Sequence, residues 1–171
     1  MNLRRRGFVD ETGDRGVDDI PEKIAVRQTG DAIIATIIAG GMVARDNLHL
    51  ILQSSRKAYS LHYLVGVLNS RAVEFFYGIL NPEKNEALAQ VKKAHVESLP
   101  VPNCTAKQSA EVEKMVKRVL SAKEKNPSAD TRELEASIDR VVYELFSLTP
   151  EEVGIVEMST PSHRPLAEAR E

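Results

Sequence analysis

The hydrophobic period of this chain changes near Ser60, from the alternation of strands to the spacing of helices, and that limits the folds open to it. Lys23 to Gln28 alternates, with Ile24 and Val26 on one side and Lys23, Ala25 and Arg27 on the other. Ala32 to Ile38 is apolar and β-branched. Gly40-Gly41 supplies a turn, because glycine tolerates positive φ, and Met42 to Arg45 and Leu48 to Leu52 read as further strand. A small, mainly antiparallel sheet is expected over residues 22 to 52.

Beyond Ser60, Leu61, Leu64, Val65 and Leu68 fall on one helix face. Asn69-Ser70 interrupts, and both residues read as caps. Ser70 opens a second helix carrying Val73, Phe76 and Leu80, and Asn81-Pro82 ends it, since the residue before proline avoids the helical region. Residues 83 to 88 read as a polar loop, Gln90 to Lys92 as a short returning strand, and Leu99-Pro100-Val101-Pro102 as an extended exit. Thr105 with Gln108, and Asp130 with Glu133, have capping-box spacing. They introduce two apolar stripes, Val112, Met115, Val116, Val119, Leu120 and Leu134, Ile138, Val141, Val142, Leu145, joined by a short linker that favours an antiparallel pair. Thr149-Pro150-Glu151-Glu152 is a further helix start.

The expected fold class is therefore α+β: a small, mainly antiparallel sheet with packed helices, followed by a C-terminal helical hairpin. The expected divisions are a disordered leader over 1–21, a mixed domain over 22–103, a helical appendage over 104–158 and a disordered tail over 159–171.

Charge is nearly balanced, at -2 over 171 residues, so the whole chain does not advertise a polyanion partner. Its distribution says more. Residues 22 to 103 carry nine Lys and Arg against seven Asp and Glu, whereas residues 104 to 158 carry eight against eleven. A nucleic-acid surface would belong to the first part, with the second facing water or protein. Cys104 is the only cysteine, which excludes an internal disulfide and leads us to expect a reducing, cytoplasmic home. The longest apolar run, Ala32 to Ala44, is too short for a membrane span, and no membrane partner is expected.

Several chemistries lack their residues. There is no glycine-rich turn for S-adenosylmethionine and no Asn/Asp-Pro-Pro-aromatic motif for a target amine; Asn81-Pro82-Glu83 has one proline and no aromatic. Gly30 and Gly40-Gly41 have no Gly-Lys-Ser/Thr context for a phosphate loop. His49, His62, His95 and His163 are scattered without ligand spacing, so no metal site is expected, and each reads as a surface or packed histidine. No catalytic residue is assigned, and the chain alone is expected not to be an enzyme.

Three stretches, in order, resemble one family. Lys23-Ile-Ala-Val-Arg-Gln-Thr-Gly30 is similar to the opening of the TaqI-like C-terminal specificity domain, Tyr63-Leu-Val-Gly-Val-Leu-Asn-Ser70 to its Leu-Asn-Ser helix end, and Gln90-Val-Lys92 with Leu99-Pro100-Val101-Pro102 to its closing segment. Downstream, Ile138 to Phe146, Leu148-Thr149, Glu151-Glu152 and Ile155-Val156-Glu157 resemble the helical end of type IIG restriction-methyltransferases; that pattern usually has Tyr where Phe146 stands and Gly where Ser147 stands. The resemblance implies that residues 22–103 are a DNA target-recognition domain of a restriction-modification adenine methyltransferase, in some members fused to an endonuclease. It further implies double-stranded DNA and a catalytic methyltransferase domain or subunit as partners, with S-adenosylmethionine bound by that catalytic part and no cofactor in this chain. A fragment, a split subunit and a truncated gene all fit.

Sequence readout needs donors and acceptors at base edges and cations on phosphates. The expected DNA-binding residues are Arg27, Gln28, Thr29, Arg45, Asn47, Arg56 and Lys57 from the sheet and its loops, and Lys84, Asn85, Lys92 and Lys93 as a second cluster. Singly, each reads as a solvated surface group, or as a pair within the sheet for Arg27 and Gln28; the expectation concerns the set. The alternative is a helical docking module of a restriction-modification complex without direct DNA readout, built on residues 105 to 158.

Overall fold

A computed structural model describes residues 21–40, 42, 47–53, 59–81 and 89–160. Three strands, β1 (Glu22–Arg27), β2 (Ala35–Ala39) and β3 (Leu48–Ile51), form an antiparallel sheet in the order β2-β1-β3. The first strand is thus central. Ile24 pairs with Ile37 on one side and with Ile51 on the other. Both faces of β1 are shielded, since Lys23 and Ala25 are buried as well as Ile24 and Val26. The segment 32–34 is buried but precedes the ladder of β2, so that strand starts later than its apolar run.

Helices α1 (Leu61–Leu68) and α2 (Arg71–Leu80) follow as expected, each capped by a serine: the Ser60 hydroxyl accepts from Tyr63 N–H and the Ser70 hydroxyl from Val73 N–H. The Leu-Asn-Ser end of α1 has a division of labour. Leu68 is buried. Ser70 caps α2 and donates back to the Val67 carbonyl at 2.7 Å. Asn69 acts as a strand partner: its Oδ1 accepts from Ala35 N–H at 2.9 Å and its Nδ2 donates to the Ala35 carbonyl at 2.8 Å. One side-chain amide therefore ties the end of α1 to the start of β2.

The remaining helices are α3 (Lys93–Ser98), α4 (Ala106–Lys125), α5 (Arg132–Leu145) and α6 (Pro150–Ser159). The six-residue α3 fills residues 93–98, to which the sequence assigns no element, between the expected returning strand and the extended exit. Capping boxes form at Thr105 with Gln108 and at Thr149 with Glu152. The Asp130–Glu133 box does not form: Thr131 is the N-cap of α5, and Asp130 instead accepts from Arg132 N–H and pairs with its guanidinium at 2.6 Å. That pairing holds the Asp130 carboxyl down at about 2. Helix α5 ends in a Schellman turn, with Ser147 N–H donating to Glu144 O, Leu148 N–H to Tyr143 O, and Ser147 at φ 57°.

One hydrophobic cluster runs from the sheet through α1 to α4 and α5, with Ile24, Val26, Val65, Val112, Val116, Ile138 and Val142 among its members. Arg71 seals the far side. Its backbone N–H donates to Asp139 Oδ1, and its guanidinium donates to the Thr160 hydroxyl and to the carbonyls of Glu157 and Thr160, covering the open C-terminal end of α6. The exit segment is pinned to α1 by Tyr63, whose buried hydroxyl donates to Pro102 O at 3.0 Å; burial, with Cys104 beside it, pushes that phenol up. Among the described residues no helix is long and apolar enough to cross a membrane. The expected leader, loop 83–88 and all but the first residues of the expected tail lie outside the described residues.

Candidate nucleic-acid interface

Where β1 runs out, three parts of the chain meet. Arg27 closes the strand, its N–H donating to Ile34 O at 3.0 Å. Gln28 N–H then donates to Asn47 O at 2.9 Å, just ahead of β3. Val91 N–H donates to Gln28 O at 2.7 Å, Gly30 N–H donates to Ala89 O at 2.9 Å, and Thr29 forms an antiparallel bridge with Gln90. Residues 27–30 are therefore clasped by Asn47 and by the strip 89–91. That strip rests on α2: the Tyr77 hydroxyl reaches Gln90 O at 3.5 Å and accepts from Asn81 Nδ2 at 2.8 Å, while His95 packs edge-on against the Tyr77 ring.

This junction gathers six of the eleven expected contact residues: Arg27, Gln28, Thr29, Asn47, Lys92 and Lys93. Thr29, Asn47 and Lys92 are exposed, and Arg27, Gln28 and Lys93 are half-buried. Lys92 is the N-cap of α3 and Lys93 its first helical residue. Arg45, Arg56, Lys57, Lys84 and Asn85 lie outside the described residues.

The junction is also shaped around one glycine. Gly30 has φ 116°, a conformation side chains rarely adopt, and a Cβ there would stand 2.8 Å from Nη2 of Arg27. The guanidinium thus folds across the turn that follows it. Its buried Nε has no hydrogen-bond partner among the described residues. Arginine is among the side chains that bond a guanine edge bidentately, and glutamine among those that bond an adenine edge so.

The sequence reads His49 as a surface or packed histidine, and the structure packs it. It is buried in β3, opposite Val26, and its Nε2 donates to Val91 O at 2.8 Å while Nδ1 accepts from Gln28 Nε2 at 3.4 Å. A lone histidine between Leu48 and Leu50 gives no hint of a partner 42 residues away.

A model of the TaqI-like C-terminal specificity domain family matches residues 9–101. No curated protein matches the chain. The matched stretch starts ahead of β1 and ends after α3, so it contains the sheet, the first three helices and the whole junction, and α4–α6 lie beyond it. More than half of the sequence falls within the match, and the chain belongs to the TaqI-like C-terminal specificity domain family.

Proposed function

We propose that this chain reads double-stranded DNA sequence as the specificity part of a type IIG-like, adenine-specific restriction-modification methyltransferase, with the catalytic part outside the chain. The observation that carries this reading is the convergence of Arg27, Gln28, Thr29, Asn47, Lys92 and Lys93 at one end of the sheet, inside the stretch that matches a specificity family. Arg27, Gln28 and Asn47 supply base-edge hydrogen bonds, and Lys92 and Lys93, with Arg45, Arg56, Lys57, Lys84 and Asn85, supply phosphate contacts and further polar groups. The catalytic partner binds S-adenosylmethionine and clamps the opposite side of the duplex. The setting is the cytoplasm.

The test is methylation of plasmid DNA by the catalytic part of a type IIG-like adenine methyltransferase, with and without the chain added. Site-specific adenine methylation that requires the chain supports the reading. Equal methylation without it, or micromolar S-adenosylmethionine binding by the chain alone in calorimetry, contradicts it.

A second reading is favoured by one feature. Phe75, Phe76, Pro100, Phe146, Leu148 and Ile155 line an apolar groove of about 280 Å³ between α2 and α6. A helical docking role without DNA readout would use this groove, and its substitution would then abolish assembly while the Arg27 and Gln28 variants changed nothing.

A further inference from the structure

The hydrogen bonds around His49 determine how Gln28 presents its amide. The Val91 carbonyl can only accept, so Nε2 of His49 carries the hydrogen in their 2.8 Å contact. The atom 3.4 Å from Nδ1 is the amide nitrogen of Gln28, which can only donate, so Nδ1 is the acceptor. One N–H of that amide is thereby engaged. The second N–H and Oε1 have no partner among the described residues, and Gln28 is half-buried, with its backbone clasped by Asn47 and Val91.

We propose that His49 is a positioning residue that fixes the Gln28 amide with one donor and one acceptor outward, and so sets a preference for adenine at one position of the DNA target. This rests on the reading that the junction meets DNA. Adenine presents N7 as acceptor and N6 as donor in the major groove, which matches one acceptor and one donor. Guanine presents two acceptors, N7 and O6, which match an amide turned the other way, with its NH2 outward. A glutamine free to turn serves both purines. The imidazole removes that freedom, because turning the amide would set Oε1 against the unprotonated Nδ1. Since the ring is anchored to Val91 and buried in β3, the orientation is built into the sheet rather than acquired on binding.

The experiment is selection of duplexes from a pool randomised over the target length, using the full chain and its Gln28→Ala and His49→Phe variants, followed by affinity measurements on single-base variants of the selected duplex. The proposal expects one position where the wild type favours adenine over guanine by roughly 5- to 100-fold, the range of a good bidentate pair. Gln28→Ala should erase that preference, and His49→Phe should bring guanine level with adenine at that position alone, with the preferences at other positions kept. A merely structural histidine would lower affinity across all sequences instead. Retained DNA binding with an adenine preference untouched by His49→Phe overturns the proposal and spares the underlying reading; absence of any duplex binding by the wild type overturns both. Should His49→Phe not fold, nitrogen-15 correlation spectra of the wild type decide. A neutral His49 ring protonated at Nε2 agrees with the proposal, and one protonated at Nδ1 overturns it.

Discussion

A Cβ added to Gly66 would stand 2.6 Å from Cγ1 of Val112, so α1 and α4 approach closely only because one of them carries a glycine there. The same Cβ would meet Val116 Cγ2 at 3.0 Å. Valine is stiff at χ1 and neither methyl can turn away cheaply. Gly66→Ala should therefore destabilise the protein by about 1–3 kcal/mol through overpacking, although alanine is the better helix former by about 1 kcal/mol. Chemical denaturation checks this, and adding Val112→Ala should recover part of the loss.

Ser147 makes the opposite case. It holds φ 57° at the C′ position of the Schellman turn that ends α5, where the type IIG pattern has glycine. A left-handed non-glycine residue costs about 1–2 kcal/mol, partly offset by glycine's greater freedom in the unfolded chain. Ser147→Gly should raise stability by about 0.5–1 kcal/mol, read as a higher thermal midpoint.

Asn69 bonds both backbone groups of Ala35 and also donates to Val65 O at 2.9 Å. Asn69→Asp keeps the shape and the acceptor but sets an anionic oxygen against two carbonyls. A loss of about 2 kcal/mol or more is expected in denaturant unfolding, with Asn69→Ala costing less. An unchanged midpoint for the aspartate would mean that Asn69 does not join α1 to β2.

His62 gives the fold a pH dependence. Burial, then Lys117, lowers its pKa from 6.5 against the opposing pull of Glu22 and Glu113. Between the lowered folded value and 6.5 the unfolded chain binds more protons, so stability falls as pH drops through that window and levels off below it. His62→Gln should flatten this part of the profile. Thermal midpoints from about pH 8 to about pH 5, compared between the two proteins, provide the check.

What could be read from the sequence was local. The period change at Ser60, the Ser70 cap and the Thr105–Gln108 and Thr149–Glu152 boxes depend on residues close in sequence, and all appear in the structure. The six residues of α3 have no side-chain cap to announce them. The Asp130 box failed because Arg132, two residues on, outcompeted the cap for the carboxylate. Long-range features were hidden. That β1 is central, that Gly66 lies beneath α4 and that His49 meets Val91 depend on contacts between segments distant in sequence, and composition carries no trace of them. The expected contact residues around Arg27 follow from their side-chain chemistry, and their meeting with Lys92 and Lys93 is a product of the strip 89–91.

The most direct measurement is fluorescence anisotropy of the chain against a mixed-sequence duplex over a salt series, for the wild type and for Arg27→Ala, Gln28→Ala, Arg56→Ala and Lys57→Ala. Residues 22 to 103 have only two more cations than anions, so few phosphates are neutralised, and each contributes roughly -0.9 to the logarithmic salt slope. Binding should be detectable at low salt, shallow in its salt dependence and weak near physiological salt. Arg56→Ala and Lys57→Ala should weaken it about equally for every sequence, whereas Arg27→Ala and Gln28→Ala should change which sequences are preferred. No binding at low salt, or binding that all four substitutions leave unchanged, would contradict a DNA-reading junction and favour the groove between α2 and α6 as the working surface.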